Sequence, residues 1–153
     1  MKTLIKNGLV VDPANLVQTH LNLLLEDGKI VAVTEEEPEA DRVIDAAGKV
    51  VAPGFIDIHM HEDPVKDDKI QFCIFDAMLR MGVTTAVGGN CGINVYDPVK
   101  YLDLLERDGA PVNVMMFAGH QYYREAAGAL DKYSPVTEEQ RKMMKKGLEE
   151  ALE

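Results

Sequence analysis

The segment PGFIDIHMH, residues 53–61, decides how the rest of the sequence is interpreted. Its first two residues, Pro53 and Gly54, break any preceding element, and residues 55–58 form a short apolar run that favours β-structure. A short apolar strand that ends in polar residues is typical of a buried parallel α/β sheet. Because side chains alternate along a strand, the two histidines are expected on one side and Met60 on the other.

The His-x-His pair predicts a metal site. Two neutral imidazoles that converge from one strand end can share a metal ion at roughly 2.0–2.1 Å each. Such a pair also arises by chance in loops and edge strands, so its sequence context has to decide. Here an apolar strand precedes the pair and two acidic residues, Glu62 and Asp63, follow it. This context favours metal binding by His59 and His61.

Composition excludes several classes of protein. The chain has 153 residues and a formal charge of −10, which argues against nucleic acid or an anionic membrane as the main partner. Its longest apolar runs, such as residues 21–25, are too short to cross a bilayer. Two cysteines cannot form a disulfide framework, so a reducing, cytoplasmic location is expected. The oligomeric state is left open by the sequence.

The first fifty residues consist of short apolar segments separated by turn signals. Asn7-Gly8 predicts a hairpin or a bulge, and the Glu26-Asp27-Gly28 turn predicts a tight connection between two strands. No segment has a helical pattern, so residues 1–52 are expected to form part of a small β-sandwich or β-layer. The predicted strands are residues 3–11, 21–25, 29–33, 42–45 and 49–52.

After His61 the sequence alternates between strand and helix patterns. Apolar strands are predicted at residues 83–87 and 112–117. Helix starts are predicted at Asp68, in a capping box with Gln71, at Asp97 before a proline, and at Thr137, in a capping box with Gln140. This order indicates βαβ units and a parallel sheet, which defines an α/β fold class.

In three successive units the candidate chemistry lies just past the carboxyl end of a strand. The first strand is followed by His59 and His61, the second by Cys91 and the third by His120. The carboxyl ends of parallel strands are where α/β barrels and open α/β sheets place their sites. The repeated position therefore carries more weight than any one of the residues.

The two cysteines are interpreted differently. Cys73 lies in a helical pattern and is expected to pack on its apolar side. Cys91 lies in a glycine-rich turn after a strand, where it is either a zinc ligand or a nucleophile with a histidine base. The nearby histidine pair favours the ligand. The turn contains no Lys or Arg, which argues against phosphate binding.

Two segments carry a resemblance to a known family. Residues 53–61, with VIDAAGKVV at 43–51 before them, resemble the opening of the amidohydrolase superfamily of metal-dependent hydrolases. The segment GVTTAVGGNCG, residues 82–92, resembles its D-aminoacylase branch, the N-acyl-D-amino-acid deacylases. The resemblance implies that residues 53–153 are the first three βα units of a TIM-type (β/α)₈ barrel, preceded by the β-sandwich segment 1–52.

The same resemblance implies roles for individual residues. It assigns His59, His61 and Cys91 as ligands of one or two zinc ions, and His120 and Arg124 to substrate binding. A (β/α)₈ barrel needs about 250 residues. The sequence is therefore expected to be a fragment, with the general base beyond residue 153 and no activity of its own.

The function expected from these observations is zinc-dependent cleavage of the amide bond of N-acyl-D-amino acids, which are small-molecule substrates. One alternative is a cyclic-amide hydrolase or a deaminase of the same superfamily. Another is a non-catalytic metal-binding domain, a true short protein that lacks the base.

Overall fold

The structure, a computed structural model, describes residues 1–152; Glu153, the last residue of the predicted barrel segment, lies outside them. The described residues form a mixed α/β protein with ten strands and four α-helices. Two compact units are present, and the chain passes from one to the other between Pro53 and Gly54. Within the described part of the chain, no helix combines the length and the apolar character needed to cross a membrane.

The first unit is a five-stranded sheet in which β1 is central. The order is β3-β2-β1-β4, and β5 also pairs with β1. The β1–β2 and β2–β3 pairs are antiparallel, whereas β4 and β5 run parallel to β1. Each strand predicted in this region has an observed counterpart. The bounds are β1 (Lys2–Asp12), β2 (Val17–Glu26), β3 (Lys29–Thr34), β4 (Arg42–Asp45) and β5 (Val50–Val51).

The Asn7-Gly8 pair forms a bulge and not a hairpin. Strand β1 continues through it, but its register with β2 shifts between Ile5 and Gly8. Asn7 has a φ of 64°, in the left-handed region that asparagine tolerates better than most residues. Its backbone N–H donates to Oδ1 of Asn22, which is buried. The bulge alternative of the prediction is therefore confirmed.

The second unit contains a three-stranded parallel sheet in the order β10-β9-β6. The parallel sheet predicted from the sequence is confirmed, and its three strands are neighbours in chain order. A short antiparallel hairpin, β7–β8, follows the first of them. The elements are β6 (Phe55–Asp57), β7 (Val65–Lys66), β8 (Lys69–Ile70), α1 (Ile74–Arg80), β9 (Val83–Gly88), α2 (Pro98–Asp108), β10 (Asn113–Met116), α3 (His120–Ala126) and α4 (Glu138–Ala151).

The core of this unit lies between the sheet and the helices α1 and α2. Phe75 of α1 and Tyr101 of α2 are both fully buried. Burying a large apolar side chain stabilises the fold by about 1.5–3 kcal/mol. The sheet is thereby held on one face by both helices. Other members of this core are Met60, Ile70, Met78, Val83, Ala86, Leu104, Leu105 and Val112.

Two of the three predicted helix starts are confirmed. The Asp97 carboxylate accepts a hydrogen bond from Lys100 N and caps α2, with Pro98 as the first helical residue. Thr137 and Gln140 form the reciprocal hydrogen bonds of a capping box at the start of α4. Both caps are encoded within four consecutive residues, which is why the sequence pattern located them.

The third predicted helix start is wrong. Asp68 lies in the turn of the β7–β8 hairpin with a φ of 57°, and α1 begins at Ile74. The carboxylate that caps α1 belongs to Asp63. Its Oδ1 accepts from the backbone N–H groups of Cys73 and Ile74, at 3.2 and 2.8 Å. Its Oδ2 accepts from Phe75 N at 3.0 Å. A carboxylate from upstream of the hairpin therefore replaces the expected local cap.

The expectation for Cys73 is also wrong, because this residue is exposed and occupies the N-cap position of α1. Its Sγ donates to Asp63 Oδ1 at 2.9 Å. This hydrogen bond, and secondarily desolvation, raises the pKa of the thiol. Helix α3, which begins at His120, was not predicted.

Candidate metal centre

The two histidines lie in the loop that leaves β6. The backbone N–H of His59 donates to Asp57 Oδ1 at 2.9 Å, which turns the chain at the strand end. Met60 N donates to Val87 O at 3.2 Å, and the Met60 side chain is buried in the core. His59 and His61 are exposed, with ring centroids 5.9 Å apart. The buried Met60 and the exposed histidines therefore alternate as predicted for a strand, although all three residues lie beyond the end of β6.

Cys91 lies in a tight turn directly after β9. In this cysteine turn, residues 89–94, the backbone of Cys91 is not helical and has a φ of 61° and a ψ of 14°. This left-handed conformation costs a non-glycine residue roughly 1–2 kcal/mol. Asn90 Nδ2 donates to Val87 O at 2.7 Å and thus ties the turn to the end of its own strand. The thiol is held at this position by a backbone conformation that cysteine does not prefer.

The structure brings the three predicted metal ligands together. Cys91 Sγ lies 3.5 Å from His59 Nε2, so the thiol faces the histidine pair and not the helices. One ligand atom from each of His59, His61 and Cys91 lies within 4.8 Å of the other two. Donors of a single zinc ion lie roughly 3–4 Å apart. Two imidazoles and a thiolate are typical zinc ligands, and their donor atoms here are at most about 1 Å farther apart than donors bound to one ion.

His120 and Arg124, the predicted substrate-binding residues, lie outside this cluster. His120 is the exposed first residue of α3, beside the cysteine turn: a Cβ on Gly92 would be 3.6 Å from His120 N. It also lines an open groove of about 380 Å³ together with Arg141 and Lys145. Arg124 Nη2 donates to the carbonyl oxygens of residues 131 and 134, so its guanidinium is engaged with the loop after α3.

Two buried polar residues near the cluster were not singled out as site residues from the sequence. Glu62 is 3% exposed, and its Oε1 accepts from Gly89 N and from Asn94 Nδ2, both at 2.9 Å. Asn94 Nδ2 also donates to Phe117 O, and Asn94 Oδ1 accepts from Gly119 N at 2.8 Å. These hydrogen bonds join the segments that follow β6, β9 and β10. In the sequence, Glu62 contributes to the acidic context of the histidine pair, and Asn94 belongs to no recognisable motif.

Small residues make this close arrangement possible. Gly89 has a φ of 74°, and a Cβ there would lie 2.2 Å from Phe117 O. A Cβ on Gly119 would lie 2.6 Å from Asn94 Oδ1. Any larger residue at either position would push the segments apart, so the glycines after β9 and β10 serve packing between the loops.

A buried tyrosine lies next to the same acidic pair. Tyr101 OH donates to the backbone oxygen of Asp63 at 3.0 Å. Burial, followed by the negative charges of Asp63 and Glu62, raises the pKa of this phenol. Tyr101 is therefore held in its neutral form, as the hydrogen-bond donor of this contact.

The fold and the site together define an α/β protein with a His-His-Cys cluster at the carboxyl ends of neighbouring parallel strands. The model of the amidohydrolase family matches residues 42–151. The chain therefore belongs to the amidohydrolase family.

The relatives of this chain include a deacylase and a dihydroorotase. The N-acyl-D-glutamate deacylase of Alcaligenes xylosoxydans xylosoxydans is 30% identical over 172 residues, which cover 97% of this chain and 34% of that protein. The dihydroorotase of Elusimicrobium minutum (strain Pei191) is 43% identical over 88 residues, which cover 56% of this chain and 20% of that protein. The chain thus spans about a third or less of the length of these relatives.

A solved structure of an N-acyl-D-glutamate deacylase also resembles this chain. The N-acyl-D-glutamate deacylase from Bordetella bronchiseptica, crystallised with zinc and a phosphonate inhibitor, superposes with a TM-score of 0.79 at 28% identity. The match covers 98% of this chain and 36% of that one. The resemblance to the D-aminoacylase branch predicted from the sequence is thereby confirmed.

Proposed function

We propose that this protein is a zinc-dependent hydrolase that cleaves the amide bond of N-acyl-D-amino acids. The observation that carries the proposal is the cluster of His59, His61 and Cys91, whose ligand atoms lie within 4.8 Å of one another. Membership of the amidohydrolase family and the likeness to N-acyl-D-glutamate deacylases support it.

In this proposal the three side chains hold one or two zinc ions. His59 and His61 supply neutral imidazoles and Cys91 supplies a thiolate. When bound, zinc contributes Lewis-acid activation of water and of the amide carbonyl. The protein's own contribution is to hold the donors in place: Asp57 fixes the backbone of His59, and Asn90 fixes the turn that carries Cys91.

His120 is proposed to contact the substrate. It is exposed beside the cysteine turn, in a groove that also contains the cationic side chains of Arg141 and Lys145. Arg141 and Lys145 both form ion pairs with glutamates of their own helix, so the substrate contact is proposed for the His120 imidazole alone. Arg124 is proposed to act more remotely, by holding the loop that follows α3.

The architecture proposed for the whole protein follows the same resemblance. Residues 1–52 are assigned to a small β-sandwich, and residues 53–153 to the first three βα units of a TIM-type barrel. The parallel order of β6, β9 and β10, with the cluster at their carboxyl ends, supports the barrel assignment. Two free thiols support a cytoplasmic location.

Zinc retention in matched cysteine variants tests the metal assignment. Cys91→Ser in the intact protein is expected to weaken zinc retention by about 10-fold or more against a chelator, because a hydroxyl is a poorer zinc ligand than a thiolate. Cys73→Ser, at the other exposed thiol, is the control and should retain zinc like the wild type. Equal retention in the two variants would show that Cys91 is not a ligand.

A substrate panel distinguishes the proposed reaction from its alternatives. The likeness to a dihydroorotase favours cyclic-amide hydrolysis as the second candidate. Because residues 1–153 alone are expected to be inactive, the full-length protein that contains them is assayed with N-acyl-D-amino acids, their L-enantiomers, dihydroorotate, hydantoins and amino-purines. Turnover of N-acyl-D-amino acids alone is expected. Preference for a cyclic amide or an amino-purine would overturn the proposal, and zinc binding without any turnover would indicate a non-catalytic metal-binding domain.

A further inference from the structure

We propose that Glu62 and Asn94 are positioning residues that fix the cysteine turn, residues 89–94, against the histidine pair and so determine how the Cys91 thiol is presented to a metal ion. The inference rests on the proposed role of Cys91 as a ligand. It concerns two residues that do not belong to the ligand cluster and that make their contacts through the backbone on either side of Cys91.

The first contact joins the two ligand-bearing segments directly. Glu62 follows His61 in sequence, and its Oε1 accepts from Gly89 N, two residues before Cys91, at 2.9 Å. Both residues are buried. A hydrogen bond between a carboxylate and a backbone N–H is stronger in such surroundings than in water. The start of the cysteine turn is therefore tied to the residue next to a metal ligand.

The second contact fixes the other end of the turn. Asn94, three residues after Cys91, donates from Nδ2 to the same Glu62 Oε1 and to Phe117 O. Its Oδ1 accepts from Gly119 N, next to His120. Asn94 thus holds the turn against the exits of β6 and β10 together. Cys91 lies between these two anchored positions, so the turn that carries it has little freedom to move as a unit.

The strain in the turn explains why anchors are needed. The left-handed conformation of Cys91 is unfavourable, and such conformations persist where the surrounding structure over-determines them. If the anchors are lost, the turn relaxes towards an ordinary conformation. The Sγ atom would then leave its position 3.5 Å from His59 Nε2.

A purely stabilising role fits Glu62 less well. Its second oxygen, Oε2, is buried, and it has no hydrogen-bond partner among residues 1–152. Burying an unpartnered carboxylate oxygen costs free energy of folding. The retained contact of Oε1 with both ends of the cysteine turn agrees with a positioning role.

Cobalt substitution measures the position of the thiol separately from the stability of the fold. Co²⁺ bound in place of zinc gives a thiolate-to-metal charge-transfer absorption only when Sγ is a ligand. In the intact protein, Asn94→Ala and Glu62→Ala are expected to weaken this absorption severalfold and to lower zinc affinity by about 10–100-fold. Glu62→Gln, which keeps the Oε1 acceptor, should restore most of both signals.

Asn22→Ala is the matched control. Asn22 is also a buried asparagine that accepts from one backbone N–H and donates to two carbonyl oxygens, but it lies in the first unit. Its loss should lower the free energy of unfolding without changing the cobalt absorption. Urea unfolding of each metal-free variant accompanies the spectra, so that lost stability and lost thiolate ligation are read separately.

The outcomes separate this inference from the proposed function. If Cys91→Ser abolishes the absorption but Asn94→Ala and Glu62→Ala leave it at wild-type strength, the positioning role is wrong and the ligand assignment stands. If the wild type shows no thiolate absorption, the proposed role of Cys91 fails and the inference fails with it. Should Asn94→Ala not fold, Asn94→Ser, which keeps one polar atom, replaces it; an unchanged absorption in that variant would equally overturn the inference.

Discussion

Glu62 and Asp63 are consecutive buried carboxylates that serve opposite sides of one loop. Every oxygen of Asp63 is occupied: Oδ1 accepts from Cys73 N, Cys73 Sγ and Ile74 N, and Oδ2 accepts from Phe75 N. In Glu62, Oε1 accepts two hydrogen bonds, whereas Oε2 has no partner within the described residues. Asp63 therefore uses both side-chain oxygens to cap a helix, whereas Glu62 uses only one of its oxygens to connect two loops.

The difference shows how one loop can serve both the fold and the candidate metal site. Asp63 supplies negative charge and acceptors to the N-terminus of α1, where unpaired N–H groups and the helix dipole favour a carboxylate. Glu62 points to the exits of the parallel strands, where the His-His-Cys cluster lies. Adjacent residues with the same functional group thus have roles that only their partners distinguish.

Removing the Asp63 carboxylate is expected to have the largest effect on stability. Asp63→Ala leaves three backbone N–H groups at the start of α1 without their acceptor, which costs about 3 kcal/mol in the free energy of unfolding. Asp97→Ala, which removes one capping bond from α2 and the hydrogen bond from Tyr122 OH, is the control and should cost about 1–2 kcal/mol. Urea unfolding compares the two. Equal losses would mean that the fully occupied cap contributes no more than an ordinary one.

Isosteric amides sharpen the comparison of the two carboxylates. Asp63→Asn turns an NH₂ group towards a backbone donor and is expected to cost about 2 kcal/mol. Glu62→Gln can place its NH₂ at the unpartnered position and should cost less than about 1 kcal/mol. Both are measured by urea unfolding of the metal-free protein. A larger loss for Glu62→Gln would reverse the assignment of the structural carboxylate.

Tyr101 extends the comparison to alkaline pH. Its pKa is raised by burial and by the nearby carboxylates, so the unfolded chain releases this proton at about pH 10, while the folded protein retains it. The stabilisation is complete below about pH 10 and is lost as pH rises towards the pKa of the folded state. We therefore expect the unfolding free energy of the wild type to fall more steeply above about pH 10 than that of Tyr101→Phe. Tyr133→Phe, at an exposed tyrosine, should leave the slope unchanged.

The smallest expected effect is on the reactivity of Cys73. Its hydrogen bond to Asp63 raises the pKa of the thiol, so less thiolate is present at pH 8 than in an unfolded chain. Iodoacetamide should modify Cys73 severalfold more slowly in the native than in the denatured protein, as measured by mass spectrometry of its peptide. Equal rates despite solvent exposure would mean that the Asp63 contact does not protect the thiol.

Local patterns predicted much of the second unit. The order of strands and helices, the caps at Asp97 and Thr137, and the proximity of Cys91 to the histidine pair all follow from residues that are close in sequence or repeat at equivalent strand ends. These signals survive because strand alternation and helix capping are short-range effects.

Long-range partners account for what the sequence did not predict. Asp63 caps a helix ten residues further along, and Asn94 binds a glutamate 32 residues before it. Nothing in the neighbourhood of either residue specifies that partner. The capping-box pattern at Asp68 was misleading because this residue lies in the turn of the β7–β8 hairpin and not at a helix start. The metal role of the cluster stays a prediction.

The left-handed backbone of Cys91 has a consequence for mutational selection at this position. In a variant library sorted only for folded yield, glycine should outcompete cysteine at residue 91, because glycine adopts a φ of about 61° without the steric penalty. The same library sorted for zinc retention should return cysteine. A position where the two selections favour different residues marks a conflict between ease of folding and ligand chemistry, and sequencing both pools would measure its size.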